Sequence, residues 1–145
     1  MKRYVVGFAF TPERKYVLLV EKTHPAWQAG KWNGIGGHIE EGETPLQAMN
    51  REAAEETFCA EDFAWKHFAT LCGSDFECFI FAGKLPEIPP NFNDVHERLN
   101  CWKLPLGNLA RLANLDFLIE GALVMDSFNH MTITYGVNGD TGQTK

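Results

Sequence analysis

The chain has 145 residues, of which 45% are hydrophobic and 22% charged, a balance that fits one globular domain with room for a sizeable core. Its formal charge of −6 argues against broad electrostatic binding to a nucleic-acid polymer or an anionic membrane, both of which call for a basic face. No apolar run reaches the roughly 18–20 residues that span a bilayer, and Met1-Lys2-Arg3 is not followed by an uninterrupted signal-peptide core, so a cytoplasmic protein without a membrane partner is expected.

Tyr4–Phe10 and Tyr16–Glu21 are rich in β-branched and aromatic residues and flank Thr11-Pro12-Glu13-Arg14-Lys15, which reads as a hairpin. Lys22–Lys31 lacks periodicity and holds His24, Pro25, Trp27 and Gly30, the composition of a surface loop. Gly34, Gly36 and Gly37 follow, where a missing Cβ lets backbone carbonyls approach a ligand closely.

Thr44-Pro45-Leu46-Gln47 then combines a capping residue, proline at the first helical position and glutamine at the third, so a helix should begin at Pro45. Leu46, Met49 and Ala53 give it one apolar stripe. Glu52, Glu55 and Glu56 share another face. Like charges three and four residues apart destabilise an isolated helix by roughly 0.2–0.5 kcal/mol per pair, and near the C-terminus the macrodipole opposes them as well. A divalent cation reverses the sign of that energy, because hard ions such as Mg²⁺ bind carboxylate oxygens and bring in substrate phosphates.

Further on, Phe63–Leu71 and Phe76–Ala82 read as a second hairpin around Gly73-Ser74-Asp75. Leu85–Asn93, with three prolines, should be a loop, and Leu99–Leu104 a short strand. Leu115, Leu118, Ile119, Ala122 and Met125 mark a second helix over Leu115–Met125. A single domain over 1–135 and a small, polar, flexible tail over 136–145 are expected. Cys59, Cys72, Cys78 and Cys101 show no paired spacing, and the histidines complete no zinc pattern, so the cysteines read as reduced, mostly structural thiols. Strands, a long crossover helix and a late second helix indicate a mixed α/β layered domain.

The spacing from Gly37, with five residues to Glu43, seven more to Arg51-Glu52, and then Ala53, Ala54, Glu55 and Glu56, resembles the signature of the Nudix hydrolases, which cleave nucleoside diphosphates linked to some other group. The pattern departs from the family at Phe58, where a glycine is usual, and at Cys59, where a bulky aliphatic residue is. A helix without that glycine should end differently. The resemblance implies an α/β/α sandwich with a curved mixed sheet. It also implies Glu52, Glu55 and Glu56 as ligands of Mg²⁺ or Mn²⁺, with the carbonyl of Gly36 as a further ligand. Glu43 and Arg51 would be a structural pair that holds the loop on the helix, a task suited to an arginine fork. Ions so placed activate a water for in-line attack on phosphorus. Two carboxylates offer themselves as base, Glu52 and Glu97, the latter in a loop ahead of Trp102.

Lys31–Gly37 adds a finer resemblance, to nucleoside triphosphate pyrophosphohydrolases that remove oxidised purine nucleotides such as 8-oxo-dGTP. Asn33 falls where those enzymes set an asparagine on the base, although it also reads as a turn residue beside glycine. Asp116 lies near their base-reading aspartates. Trp27 and Phe117 could stack on a base or pack on the protein. The expected activity is thus metal-dependent hydrolysis of a small nucleotide, a triphosphate first. A nucleoside diphosphate-linked compound such as ADP-ribose or a dinucleoside polyphosphate, and a non-catalytic nucleotide-sensing domain, are the alternatives.

Overall fold

The computed structural model describes residues 1–57, 62–87, 98–125 and 130–135. Phe58, Cys59, Glu97, the end of the Leu85–Asn93 loop and the tail over 136–145 lie outside them.

The sheet grows from β1 (Lys2–Phe10), whose apolar, β-branched run is buried from Gly7 onward. β1 forms the first hairpin with β2 (Tyr16–Glu21), with Ala9 opposite Leu18 and Phe10 opposite Val17. Arg14 takes a left-handed φ of 60° in the turn, and its N–H donates to the Thr11 carbonyl at 2.7 Å. The glycine-rich stretch forms β3 (Trp32–Asn33), paired with β2, and β4 (Ile35–His38), paired antiparallel with β1 from Tyr4–His38 to Gly7–Ile35. One edge of β1 therefore serves β4 along its first half and β2 at its far end.

After α1 (Pro45–Thr57), β5 (Lys66–Cys72) and β6 (Phe76–Lys84) make the second hairpin. β6 pairs parallel with the whole of β1, from Lys2–Phe76 to Phe10–Lys84. β5 starts later than expected because Phe63 and Trp65 are not strand residues. They are buried in the core, and Ala64 between them has a φ of 51°. β7 (Leu99–Lys103) pairs with β2, and α2 (Leu115–Leu123) follows, ending two residues before the expected Met125. A last strand, β8 (Met131–Thr134), adds parallel to β5 at the sheet edge. The order is β3-β2-β1-β6-β5-β8, with β4 on β1 and β7 on β2, a mixed and unclosed curved sheet.

The period-2 alternation of strands divides the core in two. Val5, Ala9, Leu18 and Val20 point one way, to Ala48, Met49 and Ala53 of α1. Phe8, Phe10, Val17 and Leu19 point the other way, to Leu115, Leu118, Ile119 and Ala122 of α2. Helices on opposite faces of one sheet make the expected α/β/α sandwich. The stripe of α1 differs in one member: Ala48, Met49, Ala53 and Thr57 are buried, whereas Leu46 is 46% exposed. In the first turn it is the small Ala48, not Leu46, that enters the core. Among the described residues no helix is long and apolar enough to cross a membrane.

Candidate active site

α1 begins at Pro45 because Thr44 and Gln47 satisfy each other's backbone. The Thr44 N–H donates to Gln47 Oε1 at 2.9 Å, and the Gln47 N–H donates to Thr44 Oγ1 at 3.1 Å. Ahead of this box, the turn through Gly42 brings Glu43 back under the helix. There Arg51 grips it with two bonds, Nε to Oε2 at 2.7 Å and Nη2 to Oε1 at 3.0 Å. Nη2 also donates to the His38 carbonyl at 2.9 Å, which ties α1 to the end of β4. The Arg51 hydrogen bonds, helped by the Glu40 N–H, hold the Glu43 carboxyl below the usual carboxylate range, and Glu43 in turn raises the Arg51 guanidinium.

Arg51 Nη1 turns to the other side and donates to Glu52 Oε1 at 2.9 Å, with Glu55 Oε2 at 3.4 Å and Glu40 Oε1 at 3.5 Å. A single guanidinium thus serves four carboxylates. The Glu52 side chain is only 14% exposed, and burial pushes its carboxyl up despite Arg51, with Glu55 and Glu56 adding to the rise. It lies flat on Gly37: a Cβ there would stand 2.7 Å from the Glu52 carboxyl carbon and 2.9 Å from Oε2. A side chain at this position would require the Glu52 carboxylate to move.

Glu52 and Glu56 face a cavity of about 1320 Å³, which Gly36 and Gly37 also line. Hard carboxylate oxygens, those of Glu52 desolvated by burial, suit a divalent cation. Glu55 is not in the cavity. It lies 61% exposed, and among the described residues no three acidic, histidine or cysteine side chains are gathered so that they could hold a metal ion as they stand. Of the residues expected to contact substrate, Asn33 at the end of β3 and Trp27 in the Lys22–Lys31 loop line this cavity. Asp116 does not. Its carboxylate is 63% exposed, takes a 3.0 Å hydrogen bond from Arg111 Nε, and borders a separate depression with Leu104 and Leu123.

The far end of the cavity is apolar, walled by Leu71, Phe76, Cys78, Ile80 and Leu118. Two polar residues close it, Asn114 and Tyr135, whose side chains are joined by a 2.8 Å hydrogen bond from Nδ2 to the phenol oxygen. Tyr135 gave no functional signal in the sequence, because it follows a strand too short to stand out, whereas Asn114 lies two residues before Asp116, in the stretch that the resemblance marks for base reading. Burial pushes the Cys78 thiol up to about 12, which makes it an inert wall of this chamber.

A largely buried carboxylate on a glycine, on a capped helix clasped to the preceding loop, thus stands at one end of a large cavity in an α/β/α sandwich. The NUDIX domain family model matches residues 1–105, well over half of the chain, and the chain belongs to this family. It is a hydrolase acting on phosphoric anhydride bonds. The fold is similar to that of the MutT protein from Bacillus halodurans, at a TM-score of 0.68 and 19% identity over 97% of this chain and 94% of that one. A NUDIX hydrolase from Nitrosomonas europaea gives 0.64 and 18%, covering 92% of this chain and 79% of that chain. The NUDIX domain of Shewanella oneidensis NrtR, solved with ADP ribose, gives 0.60 and 21%, covering 83% and 85%.

Proposed function

We propose that the protein is a divalent-metal-dependent pyrophosphohydrolase of purine nucleoside triphosphates, oxidised guanine nucleotides among them, releasing nucleoside monophosphate and pyrophosphate. The observation that carries this reading is the single cavity that joins the Glu52–Glu56 end to Asn33 and the apolar chamber. Triphosphate and base would occupy the two ends.

In this reading Glu52, Glu56 and the Gly36 carbonyl would hold Mg²⁺ or Mn²⁺, and Glu55, now beside Arg51, would join them. When bound, the cation neutralises phosphate oxygens and lowers the pKa of a water. Arg51 and Glu43 fix the helix against the loop, and Gly37 leaves the Glu52 carboxylate its place. Glu52, whose carboxyl is already raised by burial, or Glu97 takes the proton as one water adds to phosphorus and the bond to pyrophosphate breaks. Asn33 meets the base edge and Trp27 offers a stacking face at the loop. Asp116, turned to Arg111, has no part in it.

A second reading draws on the size of the cavity, which continues past Asn33 to Lys22, His24 and Arg98 and has room for a nucleoside diphosphate carrying a sugar. A structurally similar domain has been solved with ADP ribose. A panel of purine and pyrimidine triphosphates, ADP-ribose and dinucleoside polyphosphates, with product analysis, separates the two. Higher kcat/KM on purine triphosphates supports the first, and higher kcat/KM on ADP-ribose replaces it with the second.

A further inference from the structure

β5 carries an irregularity between His67 and Ala69, where its pairing with β6 shifts register. In an unbroken strand residues three apart point to opposite faces, and the shift returns His67 and Thr70 to the same one. There Thr70 Oγ1 lies 2.9 Å from Nε2 of His67 and 3.0 Å from Nε2 of His130, the residue ahead of β8. Two ring nitrogens from distant parts of the chain thus converge on one oxygen. The rings of Phe79 and Phe81 flank His67 at 5.4 and 5.3 Å, whereas His130 is exposed and leaves the pair open to solvent. None of His67, Thr70 and His130 lines the active-site cavity.

A threonine hydroxyl has a single proton, so it donates to one imidazole and accepts from the other, and only one ring lone pair is engaged. A cation at the same point would engage both. Imidazoles bound through nitrogen at about 2.0–2.1 Å set their ring centroids roughly 4.5–5.2 Å apart, the lower figure for neighbouring ligands at a right angle. The two centroids stand 4.5 Å apart, with the ring planes at 69°. Burial, then the charge of His130, hold His67 below its ordinary 6.5, so the neutral form that binds metals prevails at neutral pH. A hydrogen bond to the Ala69 backbone holds the same ring, the kind of outer contact that orients ligand histidines. Imidazole nitrogen suits borderline transition ions rather than Mg²⁺. We propose that His67 and His130 form a second cation site, separate from the carboxylates of α1, that takes a divalent transition ion of the Zn²⁺ or Ni²⁺ class with water completing its coordination. The ion ties the start of the edge strand β8 to β5, and with it Tyr135, which follows β8 and lines the cavity.

The test is Zn²⁺ binding by titration calorimetry, beside thermal melts with and without Zn²⁺, all in excess Mg²⁺. The proteins are the wild-type chain, His130→Ala, His67→Gln and Glu56→Gln. Wild type should bind one Zn²⁺ in the micromolar range, and its Tm should rise by about 5 °C when Zn²⁺ is at about 100 times Kd. His130→Ala changes an exposed side chain; it should weaken binding by about 30-fold and abolish the Tm shift, as should His67→Gln. Glu56→Gln should keep the affinity within threefold and the Tm shift with it. A purely structural hydrogen-bond role would lower Tm in the histidine variants equally with and without Zn²⁺, and that result overturns the proposal. Zn²⁺ binding that survives unchanged in His130→Ala overturns it too, as does binding lost only in Glu56→Gln, which assigns the ion to the carboxylates. If His67→Gln does not fold, His130→Ala decides.

Discussion

The Glu52 carboxyl group rests directly on the α-carbon of Gly37, so that a Cβ added there would stand 2.7 Å from its carboxyl carbon. One glycine of β4 and one glutamate of α1 thus share a space that only one side chain can fill. Gly37→Ala should displace the carboxylate by close to 1 Å while the helix cap and the Arg51–Glu43 clasp stay. The expected result is a folded protein with kcat/KM lowered by about 100-fold, read by steady-state kinetics beside a thermal melt. Activity within threefold of wild type would show that the carboxylate's position is not critical.

The clasp itself has an acid signature. Arg51 holds Glu43 below its ordinary value of 4.5, so the folded state binds that proton more weakly than the unfolded chain. The resulting stability is complete above 4.5 and is lost as pH falls through the depressed value. Glu43→Gln should be less stable than wild type at pH 7, and its urea midpoint should fall less steeply below pH 4.5. Parallel midpoint curves for the two proteins would contradict the pairing.

His67 and His130 give a second case of the same sign, with burial rather than an ion pair as its first cause. Both Nε2 atoms meet the buried Thr70 hydroxyl, at 2.9 and 3.0 Å, and the rings stand edge to face at 4.5 Å. Burial, then the charge of His130, push His67 below its ordinary 6.5. Between that lowered value and 6.5 the unfolded chain takes up a proton that the folded one refuses, so stability should fall as pH drops through this window. His67→Gln should remove that slope from a plot of urea midpoint between pH 7 and pH 5. An unchanged slope would place the titration elsewhere.

Trp65 packs its indole across Gly7 and Gly83, where added Cβ atoms would come within 2.7 and 2.6 Å of ring carbons, and its buried Nε1 has no hydrogen-bond partner among the described residues. Leaving a buried donor unpaired costs about 1–3 kcal/mol, which Trp65→Phe recovers while giving up ring area. The two effects should nearly cancel, within about 1 kcal/mol in urea titration. Gly83→Ala should cost about 1–3 kcal/mol by overpacking against the same ring. A Trp65→Phe loss of several kcal/mol would mean that the N–H is satisfied in solution.

Much of this was legible in the chain. The Thr44–Gln47 box, the turn at Thr11–Lys15 and the alternating strands act through neighbours a few residues apart, and their positions follow from local chemistry. What needed the fold was of another kind. Leu46 fits the helical stripe but stays exposed, and β8 is a four-residue edge strand whose partner lies far back in the chain. Asp116 and Asn114 are two residues apart at one helix start, and only the placement of α2 decides that Asn114 enters the cavity while Asp116 meets Arg111. The expectations for Phe58, Glu97 and the tail fall outside the described residues.

The most direct test of the central claim is the release of nucleoside monophosphate and pyrophosphate from a purine nucleoside triphosphate by the wild-type protein and by Glu56→Gln, with Mg²⁺ and with a chelator. The amide keeps the shape of a cavity-lining side chain and deletes its charge. The account predicts hydrolysis by wild type that stops with chelator and returns with Mg²⁺, and a folded Glu56→Gln with kcat lower by about 100-fold or more. A folded Glu56→Gln that releases pyrophosphate at the wild-type rate, or wild-type activity untouched by the chelator, would contradict it.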